Sequence, residues 1–400
     1  MKKILCSIAL MLAVSTAFGQ DKLVRKAQSL IEENKLDEAQ TVLTEALTSG
    51  KTKKIALAWD VQGDIYQRVF AAELNKAAAS QPLDTMKFAK NLYACIDAYE
   101  KCNELDEDKE FYQKNKGNAM KFRTFYMYCG QFFFNNRQYS DAFTAYDKWL
   151  TYPQTVKLVE NEPKILKDSV FDENQIAYYA CLAAYNDKNY QNVEKYINQA
   201  LKYDKELETV RQLRLTTYLE QGDTANWVKS SKEFALSGVK AETVAQNLLA
   251  YYLDKKDEAS ALAFADELLA KDPKSKIGNY SKGVVLFGQN KFADAVTYFV
   301  KTTEIDPTFS DAFYNAGVCY CNEGYALNEK ISNNKKLTAA QNNEEIKKVK
   351  AYYEKALPFF LKVKELEPDN VSRWASRLST VYYIMGDKAK QKEMDALLKM

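Results

Sequence analysis

The stretch from Pro273 to Pro307 constrains this chain more than any other. It reads PKSKIGNYSKGVVLFGQNKFADAVTYFVKTTEIDP, and its two prolines stand 34 residues apart. Proline inside a helix removes a hydrogen bond and clashes with the preceding turn, so both prolines mark ends. Between them the spacing predicts two helices, 276–288 and 291–305, joined at Gly288-Gln289-Asn290. On the second, Phe292, Ala295, Val296, Phe299 and Ile305 recur at helical spacing and make one apolar face. Gly283 and Ala295 carry little bulk, so two antiparallel helices can approach closely where they cross. Such a pair buries one face internally and leaves another bare. Stacked neighbours must cover that face, so the unit implies an array.

The same signature returns along the chain. Leu36, Ala39, Leu43 and Ala46 close a first pair. Gly130 is followed twelve residues later by Ala142, then by Tyr146, Trp149, Tyr152 and Pro153. Cys181 and Val193 share that interval, as do Leu249 and Ala261. Trp59, Gly63 and Tyr66 open a pair whose closing face, Cys95, Tyr99, Cys102 and Leu105, comes twenty residues late. The insert through Ala77–Pro82 reads as an extended helix and a loop. Phe313, Gly317 and Tyr320 open another pair, and Ala356, Phe360, Val363 and Leu366 follow 27 residues late. This second insert, polar around Ser332–Glu345, predicts two lengthened helices with a polar tip, the second bent at Pro358. A fifth pair is degenerate, with Trp227 where a small residue is expected after Gly222. Residues 154–170 read as a connector broken by Pro163. The last pair holds Trp374, Leu378 and Tyr382, then Gly386-Asp387 and a polar helix over 387–400 that suits a cap.

This pattern resembles the tetratricopeptide repeat (TPR), a helix–turn–helix unit of about 34 residues. The resemblance covers nearly all of residues 21–400 in nine pairs and is clearest over 54–106, 118–153, 276–307 and 310–368. It implies an all-α solenoid with helical inserts in the second and eighth pairs. It also implies a non-enzymatic scaffold whose opening helices line a concave groove for a protein or peptide partner. By resemblance the groove residues include Met127, Gln131 and Phe134, then Tyr178, Leu182 and Tyr185. Tyr280, Val284 and Phe287 follow, with Tyr314, Asn315, Val318 and Asn322. Rings at helical spacing fit packing between repeats equally well. Some TPR domains grip a peptide's C-terminal carboxylate, and Asn315 fits one such place, but Asp311 and Tyr314 stand where lysines are expected. A cell-surface glycan-binding module carrying TPR helices is the alternative reading, since aromatic rings serve both ligands.

Composition narrows the chemistry. The chain has no histidine, which excludes Ser-His-Asp and Cys-His nucleophile systems and the usual catalytic zinc sites. It has no P-loop and no Gly-rich dinucleotide fingerprint. Glu32-Glu33 and Glu344-Glu345 are neighbours, which do not face each other on a helix, so they read as solvated surface. No enzyme activity, cofactor or metal is expected. Residues 1–19 have the form of a secretory signal peptide: Lys2 and Lys3, an apolar run from Ile4 to Ala13, then Ala17-Phe18-Gly19. The expected mature chain, 20–400, holds 54 basic and 54 acidic residues, which argues against nucleic acid. Its expected compartment is the periplasm of a diderm bacterium, or secretion, with no stable membrane insertion once the signal is removed. Cys95, Cys102, Cys129, Cys181, Cys319 and Cys321 fall on apolar helical faces and read as buried free thiols, with Cys95–Cys129 the pairing to consider otherwise.

Overall fold

The computed structural model describes residues 21–49, 52, 54–162, 171–238 and 241–399. The expected signal peptide and the expected break at Pro163 lie outside them. Among the described residues every regular element is helical, and eighteen are α-helices. The fold is all-α, built from TPR-like helix pairs taken in chain order.

The chain divides into two compact units after Gln221, inside the turn of the degenerate fifth pair. The first unit holds α1 (21–32), α2 (Leu36–Thr48), α3 (Ile55–Ala78), α4 (Thr85–Leu105) and α5 (Tyr112–Asn135). It continues with α6 (Tyr139–Thr155), α7 (Glu173–Asn186), α8 (Tyr190–Ala200) and α9 (Leu207–Gln221). The second holds α10 (Thr224–Leu236), α11 (Glu242–Asp254), α12 (Glu258–Lys271), α13 (Lys276–Gly288) and α14 (Phe292–Ile305). After these come α15 (Ser310–Asn333), α16 (Ala339–Leu366), α17 (Val371–Met385) and α18 (Lys388–Leu397). Within each unit, every helix packs on the next in sequence.

Four glycines set how closely pairs approach. A Cβ on Gly63 would stand 2.3 Å from the Tyr99 ring, and one on Gly130 2.3 Å from Tyr146. A Cβ on Gly283 would meet Phe299 at 2.8 Å, and one on Gly317 would meet Phe360 at 2.8 Å. The opening helix is therefore bare where one aromatic ring of the closing helix packs against it. The small residues expected at the crossing, Ala142, Ala295 and Ala356, are fully buried one turn before that ring. The inserts leave this contact intact and lengthen the helices beyond it.

The turns inside pairs repeat one device. Asn34, Arg137, Lys188, Lys256 and Asn290 all have φ between 57 and 61°, the left-handed region. The next amide then reaches back five residues, as Lys291 N donates to Leu286 O at 2.9 Å and Asp257 N to Tyr252 O at 2.8 Å. These bonds satisfy carbonyls that a helix end would otherwise orphan. The closing helix often begins on a side-chain cap: Asn189, Asp223, Asp257 and Asp387 each accept from the amide three residues on. Between pairs, Asp272 and Asp306 precede proline and accept the amides of Lys274 and Thr308, both at 2.9 Å.

Two expectations from the sequence are corrected. Ile305 does not complete the buried face of α14 and is 38% exposed. Thr302 and Thr303 take the buried places in the last turn, their hydroxyls donating to the carbonyls of Tyr298 and Val300. The connector expected from residue 154 starts later, since α6 runs through Pro153 to Thr155. A proline at 153 leaves the carbonyl four residues earlier without its helical donor. That carbonyl is Trp149's, and the Arg123 Nε donates to it at 3.2 Å while the guanidinium lies 3.9 Å from the Trp149 ring. Other expectations stand: the polar tip lies between α15 and α16, and the extended α3 leads into the expected loop.

The glycine contacts generate a paired prediction. Gly63→Ala should destabilise the protein by about 1–3 kcal/mol, because the added carbon overpacks against Tyr99. Gly117, inside α5, has open space around the same atom, so Gly117→Ala should stabilise by about 0.5–1 kcal/mol through helix propensity alone. Chemical denaturation of both variants measures the two signs.

Candidate functional site

Most of the expected groove rings are occupied by packing. Phe134 meets Tyr139 edge-on at 5.4 Å, Tyr185 meets Tyr190 at 6.0 Å, and Phe287 meets Phe292 at 5.3 Å. In each case the partner lies five residues on and opens the closing helix, so the two rings clamp the turn between them. Tyr178 packs on Tyr179 and Tyr203, at 5.6 and 6.0 Å. Met127 and Val318 are buried in the hydrophobic core, which corrects their placement as groove surface. Val284 and Leu182 are half-buried against their cores, Asn322 is half-buried, and Gln131 is exposed.

A different arrangement appears on the opening helices α13, α15 and α17 of the second unit. Tyr280 sits between Phe299 and Phe309, at 5.7 and 4.8 Å, and Asn315 Nδ2 donates to its hydroxyl at 3.3 Å. Burial pushes that hydroxyl's pKa up to about 12. Tyr314 has the edge of Phe360 against it at 6.0 Å and two guanidinium groups over its ring, Arg373 at 4.8 Å and Arg377 at 5.5 Å. The Arg377 Nε donates to the Tyr314 hydroxyl at 3.0 Å.

The two arginines differ in what remains of their charge. Arg373 Nη1 donates to both oxygens of Glu367, at 2.8 and 3.1 Å, and Nη2 donates to Asp311. Its fork is filled. Arg377 is exposed and has no carboxylate partner among the described residues. With Nε fixed on Tyr314, its terminal nitrogens stand free in a set orientation, the geometry in which guanidinium recognises planar acceptors. Neither arginine was singled out by pattern reading. Their four-residue spacing on the opening helix of the last pair is the signal that places both on one face.

The first unit carries a polar junction instead. Lys114 of α5 lies 2.7 Å from Asp60 and 3.0 Å from Asp64 of α3. The Tyr99 hydroxyl passes beneath Gly63 to stand 2.8 Å from Asp64 and 2.7 Å from Gln67. Burial raises the pKa of the Asp60 carboxyl even beside Lys114. The charges are spent on one another, so this junction ties α3, α4 and α5 together.

A cavity of about 570 Å³ opens where α10–α13 end and begin, lined by Leu236, Glu242, Leu268, Lys276 and Ile305 among others. Lys276 at its edge is matched by Glu242 and Asp306, both at 3.0 Å. The Thr308 hydroxyl and Lys276 hold the Asp306 carboxyl down to about 2.

Nucleophilic and metal chemistry find little footing. Cys95, Cys102, Cys129, Cys181 and Cys319 are buried free thiols, and Cys321 is half-buried and free. Burial pushes Cys129, Cys181 and Cys319 up to about 12, far from the thiolate that reacts or binds metal. Among the described residues no cluster of three Cys, Asp or Glu side chains can hold a metal ion, and no helix is long and apolar enough to cross a membrane.

No family model matches the chain, and no curated protein sequence matches it. Among solved structures it is similar to the C-terminal part of a TPR repeat-containing protein from Cytophaga hutchinsonii. That match is 14% identical, covers 68% of this chain and 93% of that one, and has a TM-score of 0.40. It is also similar to a TPR repeats protein from Bacteroides fragilis, 17% identical, over 69% of this chain and 98% of that one, with a TM-score of 0.35. The TPR2AB domain of yeast Sti1, solved as a complex with pHSP90, is 13% identical over 80% of this chain and 98% of that one, at a TM-score of 0.28.

Proposed function

We propose that the chain is a non-enzymatic scaffold that holds a protein or peptide partner on the face formed by α13, α15 and α17. One observation carries the reading. Arg377 is an exposed guanidinium, fixed at Nε by Tyr314 and left without a carboxylate, beside a neighbour whose own fork is filled. A fold would gain as much from a flexible surface side chain there. An oriented cation beside a tyrosine is what a recognition surface uses, since Arg and Tyr are enriched where binding energy concentrates. The absence of histidine from the sequence and the high pKa of the thiols favour a scaffold over a catalyst. The signal-like residues 1–19 support export, with the periplasm as the working compartment.

The test is paired. A partner is captured from a periplasmic fraction, and its affinity is measured by calorimetry for Tyr314→Ala and Arg377→Gln beside the melting temperature of each. Tyr314→Ala should weaken binding by about 2 kcal/mol or more, and Arg377→Gln should weaken it while melting stays unchanged. Unchanged affinity for both variants would remove this face as the site.

A further inference from the structure

The hairpin α15–α16 outgrows its neighbours, and its end is charged. The helices α13 and α14 have 13 and 14 residues, whereas α15 and α16 have 24 and 28. Gly283 stands five residues before the end of α13, but Gly317, which makes the same contact, stands sixteen before the end of α15. At a rise of 1.5 Å per residue, those eleven residues project the hairpin about 16 Å further.

The projecting part is basic. Residues 329–350 hold six lysines and three glutamates. Lys347 and Lys348 are paired within α16 to Glu344 and Glu345. Lys330, Lys335 and Lys336 are exposed at the tip and have no carboxylate partner among the described residues, with Glu329 the one acid beside them; Lys350, half-buried, is set back along α16 with Glu354 one turn on. Behind this cluster Tyr325 on α15 is 65% exposed and Ile346 on α16 is 37% exposed. Nothing in the helix pair requires this composition. Its core is made by Gly324, Ile331, Val349 and Tyr353, all buried.

We propose that the tip of the α15–α16 hairpin docks the protein on an anionic lipid surface. Three exposed lysines on a projection, against one glutamate, are attracted by anionic headgroups, each lysine worth about fivefold in affinity. A tyrosine and an isoleucine exposed behind them supply the apolar flank of an interfacial element. A projecting tip meets a flat surface across its whole width, whereas a peptide is held in a concavity. The contact is peripheral and electrostatic, so salt weakens it. It leaves the face around Tyr314 and Arg377 free, and the two readings stand or fall separately.

The chain from Gln20 onward keeps every described residue and omits the apolar N-terminus, which would bind lipid by itself. It is mixed with vesicles of phosphatidylcholine alone, and with vesicles of equal parts phosphatidylglycerol and phosphatidylcholine, then sedimented. The triple variant K330Q/K335Q/K336Q is compared with K90Q/K121Q/K205Q, which removes the same charge from exposed places elsewhere. Melting curves establish that both variants fold. Binding to the phosphatidylglycerol vesicles alone, lost in high salt and in the tip variant but kept in the other, is the expected result. Absence of binding to those vesicles overturns the proposal, as does equal binding by the two variants. Retention on immobilised polyglutamate without vesicle binding also overturns it, and gives the tip to an acidic protein instead.

Discussion

The contact on which the rest depends is a glycine backbone with an aromatic ring lying on it. Gly63, Gly130, Gly283 and Gly317 leave no room for a Cβ before a ring of the closing helix. That contact fixes the separation and register of each pair, and the register then decides which residues reach the neighbouring pair. Because it involves one point on each helix, the helices can grow beyond it. Two pairs do, which is how α3–α4 and α15–α16 take long inserts with the crossing unchanged.

Rings are used generously elsewhere, and that bears on function. The rings at Phe134, Tyr185 and Phe287 clamp turns, and Tyr178 and Tyr280 pack on the segments that follow the closing helices. These places repeat because the turn repeats. Tyr314 departs from them. Its ring lies under two guanidinium groups, and its hydroxyl spends itself on orienting one of them. A site is sought best where a repeated position stops doing the repeated task.

The fold was legible because its signals are local: small residues twelve apart, a proline after the pair, and apolar spacing along each helix. The pairs with inserts were legible for the same reason, since Gly63 and Gly317 kept their surroundings. The start of the connector misled because the cost of Pro153 within α6 is met from far away in sequence, by Arg123. Ile305 misled because it is apolar but stands six residues after Phe299, off the face; the i+3 and i+4 places belong to Thr302 and Thr303, whose hydroxyls are bonded to the backbone. The candidate site was less legible. Helical spacing tells which residues share a face but not which rings another helix covers, so Met127 and Val318 entered a groove they do not line. Arg377 lies in the last pair, 63 residues from the tyrosine that orients it, and no local pattern joins them.

The glycine–ring contact is tested most directly by a double-mutant cycle at Gly130 and Tyr146. Stability is measured for Gly130→Ala, Tyr146→Ala and the two together. If the ring is what forbids a side chain at 130, the glycine change is costly in the native background and nearly free once the ring is gone, a coupling of about 1 kcal/mol or more. Costs that simply add would contradict the account, for they would mean that the ring does not set the crossing.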